Sequence, residues 1–245
     1  MRQCGKCPFK KCFMISWWRD SMIGIITARG GSKGIVQKNI APLAGTPLIV
    51  YTLQAAIDAD AFTRIIVSTD CAAIADVCAA YPVEVVLRPA SLATDTASSV
   101  DTVAHVLSAC QIPETEDFML LQPTSPLRTS AHICAAIECY QSQSAAALVS
   151  VCATTHPPHK CLVKVGDDYQ PLFDWAHLSM PRQQLPETHH INGAIYICQV
   201  AAFLKAQSFF AEPLAIYEMD ALSSVDIDTP LDLAYAEFLL QQAMP

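Results

Sequence analysis

Three basic side chains and three glycines fall within the ten residues from Arg29 to Lys38, in a chain whose formal net charge is −8. The run Arg29-Gly30-Gly31-Ser32-Lys33-Gly34 lets the backbone turn tightly beside a ligand. Arg29, Lys33 and Lys38 add fixed positive charge to the same loop. Converging backbone N–H groups and cations suit a polyphosphate. The spacing is neither that of a Walker loop nor G-x-G-x-x-G, and Pro42 and Gly45 prevent a helix directly after the loop. Far along the chain, Asp226 and Asp228 stand at i and i+2 of an extended segment. Both carboxylates then face one side and suit a hard cation. Asp228 is also placed to cap the helix that follows.

Two further loops carry polar groups. Arg88 opens a segment rich in Ser and Thr that runs to Ser99, which reads as an N-cap cluster for the next helix or as a ligand-reading loop. Gln122-Pro123-Thr124-Ser125-Pro126-Leu127-Arg128 follows an apolar run, at the carboxyl end of a strand, where open α/β sheets place ligands. His156, His159 and His177 read as solvated loop histidines rather than metal ligands.

The elements that must position these loops follow from periodicity. Residues 23–28 form an apolar, β-branched run that predicts a buried parallel strand. Thr46-Pro47 predicts an N-cap with proline at the first helical position, and a helix to residue 58. Residues 64–69 predict a second strand, with Asp70 capping a helix over 71–80. Strands at 83–87, 118–121 and 146–151 alternate with helices at 100–110 and 131–141. This alternation indicates right-handed βαβ units in an α/β fold: a Rossmann-like, doubly wound, mostly parallel sheet. The rhythm breaks over residues 153–192, where proline and histidine are dense and Gly166-Asp167-Asp168 predicts a short hairpin. So long an excursion is usually functional or part of an interface. A strand at 194–198, a helix at 200–206 and a strand at 214–218 follow. The last helix starts at Thr229-Pro230, with Leu231, Ala234, Tyr235, Phe238 and Leu239 as its apolar stripe.

Composition bounds the rest. A chain of 245 residues, 52% hydrophobic and 16% charged, can bury a sizeable core within one domain. No apolar run approaches the ~20 residues that cross a bilayer. The acidic balance argues against general nucleic-acid binding, which favours a concentrated basic face. Eleven cysteines, an odd number scattered through the predicted elements, suggest a reducing cytosol rather than a disulfide framework. Residues 1–21 read as a disordered extension ahead of a working start at Met22. Cys4, Cys7 and Cys12 lack a nearby fourth metal ligand there, and no apolar stretch suggests a signal peptide.

The string from Ala28 to Ile35, followed by Lys38-Asn39-Ile40, closely resembles the N-terminal signature of the acylneuraminate cytidylyltransferases, the CMP-sialic acid synthetases. Leu121 through Arg128 is similar to a second signature of that family. The resemblance runs from Met22 to the C-terminus. It departs at Val36, where the family usually has proline, and at His189, where it often has tyrosine.

The resemblance implies the nucleotide-diphospho-sugar transferase type of fold, with residues 153–193 as a dimerisation and acceptor-binding excursion. It implies CTP and a nonulosonic acid as substrates, Mg²⁺ as cofactor, a cytoplasmic homodimer, and neither nucleic acid nor membrane as partner. Arg29, Gly30, Gly31, Ser32, Lys33 and Asn39 would then hold the nucleotide's phosphates, with Lys38 beside them. Arg88, Ala97 and Ser99 would read the cytosine. Gln122, Thr124, Lys160, Arg182, Gln183, Asn192 and Gly193 would meet the acceptor sugar. Asp226 and Asp228 would bind Mg²⁺, and no residue stands out as an obligatory general base.

Overall fold

The computed structural model describes residues 22–243, so the expected N-terminal extension and its three cysteines lie outside the described residues. The strands are β1 (Met22–Thr27), β2 (Pro42–Leu43), β3 (Thr46–Pro47), β4 (Arg64–Thr69), β5 (Glu84–Leu87) and β6 (Asp117–Leu121), then β7 (Ala147–Ala153), β8 (Leu162–Val165), β9 (Asp168–Pro171), β10 (His189–Gln199) and β11 (Leu214–Met219). The helices are α1 (Leu48–Ala59), α2 (Ala72–Cys78), α3 (Ser99–Ala109), α4 (Ser130–Ser142), α5 (Trp175–Ser179), α6 (Val200–Ala206) and α7 (Pro230–Ala243).

Seven strands form the central sheet in the order β11-β7-β10-β6-β1-β4-β5. β1 pairs parallel with both β4 and β6, Ile25 lying beside Ile66 on one side and Leu120 on the other. β10 alone among these runs antiparallel, between β6 and β7. Alternation along the strands splits the core in two. Ile26, Val67 and Met119 face α1, α2 and α4. Ile25, Ile66 and Phe118 face α3 and α6, where Phe118 meets Phe203 edge-on at 5.1 Å. The sheet is therefore the doubly wound, mostly parallel one expected, with β1 at the point where strand order reverses. In such sheets the loops after the two central strands diverge and leave a crevice between them.

Several local expectations are corrected. Thr46-Pro47 is not a helix start. It pairs with Pro42–Leu43 in a two-stranded ribbon, and α1 begins at Leu48, whose N–H bonds to the Ala41 carbonyl. Asp70 does not cap α2; the capping position is Cys71 and Asp70 turns toward the β1 loop. The expected stripe on α7 is the outer face: Leu231, Tyr235 and Phe238 are exposed, while Ala236 is buried and Leu233 and Leu240 pack inward against Leu43, Leu48 and Ile227. Helical spacing gives a stripe but not its direction, and here the aromatic Tyr235 and Phe238 stayed outside. His159 is buried, stacked on Phe173 at 4.6 Å, and so is not a solvated loop histidine.

The hairpin expected near Gly166 is β8–β9, with Gly166 at φ +65. The excursion ends earlier than expected, because β10 already pairs with β7 from His189, opposite Ala153. The described cysteines form no disulfide among the described residues.

Candidate active site

The loops after β1, β5 and β6 and the segment before α7 enclose a cleft of about 300 Å³ above the carboxyl ends of the parallel strands. Each wall is fixed by bonds to another. Asn39, nearly buried, donates from Nδ2 to the Arg29 carbonyl at 2.9 Å and so closes the basic loop on itself. Lys38 Nζ donates to the Ile227 carbonyl at 2.8 Å and to Asp228 Oδ1 at 2.9 Å. A β-carbon on Gly34 would lie 2.2 Å from the Asp228 carbonyl oxygen, so the loop touches that segment at a place only glycine fits. The Thr124 carbonyl accepts from Ile227 N–H at 2.8 Å, which ties the β6 loop to the same segment.

Asp226 and Asp228 both reach the cleft. Asp226 is exposed as a residue, and in the cleft wall the surrounding protein displaces part of its hydration. That desolvation pushes its carboxyl upward and nearby Asp228 adds to it, while a hydrogen bond from Thr124 opposes. The cap of α7 belongs to neighbours instead. Thr229 Oγ1 and Asp232 form it, with Asp232 Oδ2 accepting from Thr229 N–H at 2.7 Å and Asp228 N–H at 3.1 Å. The Asp228 carboxylate is thus left to the cleft and to Lys38. Among the described residues no three His, Cys, Asp or Glu gather as a metal cage. Two carboxylates alone suit Mg²⁺, which keeps several waters and takes phosphate oxygens for the rest.

On the opposite wall Arg88 is buried and points its guanidinium into the cleft region, with Nη2 3.7 Å from Asp70 Oδ1 and Nη1 3.4 Å from Thr102 Oγ1. Its Nε has no hydrogen-bond partner among the described residues. Asp70 Oδ1 also accepts from Gly30 N–H at 3.0 Å, so one carboxylate joins Arg88 to the basic loop. A β-carbon on Gly30 would meet the Cys71 side chain at 2.8 Å, which keeps this approach open only to glycine. Ser98 caps α3, accepting from Asp101 N–H at 3.0 Å, while Ala97 and Ser99 line the cleft. Ser98 thus fills the capping role, while its neighbours stand at the cleft wall.

A family model described as cytidylyltransferase matches residues 23–244. The chain belongs to the cytidylyltransferase family. It is 38% identical over 227 residues to the N-acylneuraminate cytidylyltransferase of Escherichia coli O18:K1:H7, covering 91% of this chain and 53% of that protein. It is 35% identical to the CMP-N,N'-diacetyllegionaminic acid synthase of Legionella pneumophila, covering 90% of this chain and 96% of the other. The chain thus spans about half the length of the sialic-acid relatives it matches and nearly all of the legionaminic one. Among solved structures, a CMP:2-keto-3-deoxy-manno-octonic acid synthetase complexed with CTP shares the fold. Its TM-score is 0.68 at 17% identity, over 92% of this chain and 100% of that one.

The residues expected to meet an acceptor divide in the structure. Gln122 and Thr124 line the cleft. Gly193, at φ +74, leaves room for Gln122, whose Oε1 would lie 2.8 Å from an added β-carbon. Asn192 lies under the surface at the irregularity in β10. It accepts from Ser150 Oγ at 2.6 Å and donates to Ser224 Oγ at 2.8 Å, and so acts as a scaffold here. Lys160 donates to the Leu178 and Met180 carbonyls and folds the excursion rather than reaching the cleft. Arg182 and Gln183 are exposed on a short turn and do not line the cleft either. Lys33 points outward to Asp95 at 2.9 Å, and Arg29 bonds the same carboxylate at 2.9 Å.

Two residues escaped the motif reading. Asp95 carried a signal, an acid inside a Ser/Thr segment. Asp70 had been given to a helix cap. Arg128, fully buried, donates to the Gln122 and Ala194 carbonyls and to Thr52 Oγ1, and braces the β6 loop; burial pulls its guanidinium down to about 9.

Proposed function

We propose that this chain transfers CMP from CTP to the anomeric hydroxyl of a sialic-acid-type nonulosonic acid, releasing pyrophosphate. One observation carries the reading: the basic β1 loop, the buried Arg88 and the Asp226–Asp228 pair meet in a single cleft at the strand-order reversal. The names of the relatives support the chemistry and both classes of acceptor.

The hydroxyl oxygen attacks the α-phosphorus in line. The new P–O bond forms as the bond to the β-phosphate oxygen breaks, and pyrophosphate carries away the electron pair. Such transfer depends on positioning and charge stabilisation. Arg29 and Lys38 stand where negative charge gathers on the phosphates, and Lys38 also holds Asp228 in place. Arg88 supplies a donor for the base, with its neighbours Ala97 and Ser99 shaping the slot. Gln122 and Thr124 face the acceptor side, where the exposed carboxylate of Asp228 is the best-placed group to take the hydroxyl proton. Asp226 and Asp228 would hold Mg²⁺, which would supply charge neutralisation on the triphosphate.

The acting form is a homodimer. Leu162, Val163, Val165, Tyr169, Phe173 and Trp175 leave a large apolar surface open on the excursion, of the kind that marks an interface. In that dimer Arg182, Gln183 and Lys160 come near a neighbour's cleft. A cytoplasmic setting fits described cysteines that form no disulfide with one another; no helix among the described residues is long and apolar enough to cross a membrane.

A second acceptor reading, a legionaminic or related acid, is favoured by the relative of matching length. The test is pyrophosphate release from CTP and Mg²⁺ with a panel of purified nonulosonic acids and a 3-deoxy-octulosonic acid. Release with a nine-carbon acid supports the proposal, and the preferred acid decides between the readings. Binding of CTP without release under any acid would make the chain a nucleotide-binding regulator and overturn it.

A further inference from the structure

The two outermost cations of the β1 loop are already bridged by one acid of the protein itself. Asp95 Oδ1 accepts from Arg29 Nη1 at 2.9 Å, and Asp95 Oδ2 meets Lys33 Nζ at 2.9 Å. Asp95 comes from the segment between β5 and α3, 66 residues away, whose Thr94 and Ala97 line the same cleft. Hydrogen bonds from Lys33 first and then Arg29 hold its carboxyl below the ordinary carboxylate range. A carboxylate with one oxygen on each of two cations has the shape and charge of one edge of a phosphate group.

We propose that Asp95 is a specificity-determining residue: a tethered rival anion that holds Arg29 and Lys33 and yields them only to a polyphosphate. The inference rests on the triphosphate reading of this cleft. A tethered group competes at an effective concentration on the order of millimolar or more, without any further contact. A lone phosphate or sulfate offers the two cations no more than Asp95 does, and must displace it to bind. Pyrophosphate or a triphosphate brings additional anionic oxygens for Lys38 and the loop N–H groups, and so overcomes the rival. The pairs Asp95 makes are exposed at the protein surface, where ion pairs are weak and exchange readily. The same exchange releases Asp95 from the β1 loop and lets the base-side segment settle on the nucleotide. In this way one residue sets the minimum charge an entering ligand must carry, and Arg29 at the cleft and Lys33 at its rim stay engaged until that ligand arrives.

Isothermal titration calorimetry on wild type, Asp95→Asn and Asp95→Ala, at fixed ionic strength, tests this with inorganic phosphate, inorganic pyrophosphate and CTP as probes. Both variants should bind phosphate about three- to tenfold more tightly than wild type, the size expected for losing two exposed pairs. Pyrophosphate should gain less, so the preference for pyrophosphate over phosphate narrows. Unchanged or weaker phosphate binding in both variants overturns the proposal. Weaker pyrophosphate binding in both would mean that Asp95 only braces the cations, and overturns it as well. CTP binding by wild type reports separately on the triphosphate reading. If wild type binds CTP and the anion ratio does not move, only the Asp95 inference falls.

Discussion

On the β1 side of the cleft Lys38, Asn39 and Arg88 are each held by bonds to other parts of the same chain, whereas Arg182 and Gln183 on the excursion stand exposed beside uncovered apolar side chains. The first region is complete within one copy. Its residues come from four loops, yet Gly34, Lys38 and Thr124 all contact the 226–228 segment, so the loops hold one another. The second region folds on itself through Lys160 and the His159–Phe173 stack, and leaves Trp175 and Tyr169 to the outside. On the proposed function, the difference would make nucleotide binding a property of the single chain and acceptor presentation a property of an assembly.

The sharpest break of that contrast is Asp228→Asn. If the carboxylate acts in the cleft, turnover should fall by about 10²–10³-fold, as when one electrostatic stabiliser is lost. Melting temperature should stay near wild type, because Thr229 and Asp232 cap the last helix. The measurement is kcat against Mg²⁺ concentration with melting curves alongside. A wild-type rate at limiting Mg²⁺ ends the metal assignment.

A smaller but more direct signal comes from mixing inactive Arg29→Ala and Arg182→Ala subunits. If the excursion serves a neighbour's cleft, randomly mixed dimers should recover about a quarter of wild-type activity. No recovery, with light scattering showing mixed dimers, would return the acceptor site to a single chain.

Within the complete region, base choice should be strong. Uracil replaces the N3 acceptor of cytosine with an N–H donor, which the donor-only Arg88 cannot pair, and an unpaired buried group costs about 1–3 kcal/mol. CTP should therefore exceed UTP at least several-fold in kcat/KM, and Arg88→Lys should narrow the gap. Equal kcat/KM for the two nucleotides would contradict the role given to Arg88.

The smallest expected effect is on stability. Desolvation raises the Asp226 carboxyl in the folded chain, so the folded state binds a proton more tightly than the unfolded one. Its destabilisation is present above the folded pKa and is relieved as pH falls through it. Asp226→Asn should remove that penalty, giving a slightly higher melting temperature at neutral pH and a smaller gain on acidification, while turnover is lost. A lower melting temperature at neutral pH would show that Asp226 is paired favourably instead.

The sequence made the parallel half legible because its signals are local. Strand runs such as 64–69 and the glycine-rich loop announce themselves within a few residues. What it could not show depended on direction or on distant partners. The stripe on α7 was correctly grouped but pointed outward, since periodicity has no sign. Asp70 looked like a cap because its neighbour in sequence begins a helix, while its real partners, Gly30 and Arg88, come from other loops. Asn192 and Lys160 matched acceptor motifs but spend their hydrogen bonds on the backbone and on buried neighbours. Asp95 had no motif, and only the closing of two loops revealed what it touches.

The contact of Gly34 with the Asp228 carbonyl also has a consequence for how the chain is made. It joins residues nearly two hundred positions apart, and contacts of such long sequence separation slow folding because the intervening loop must first be closed. During synthesis from the N-terminus, β1 and its basic loop emerge early, but Lys38 has no Ile227 or Asp228 to hold until residues 227 and 228 have also left the ribosome. The cleft is therefore assembled long after β1 and its loop have been made. In a chain cut short before residue 226 the basic loop lacks the contacts that aim it.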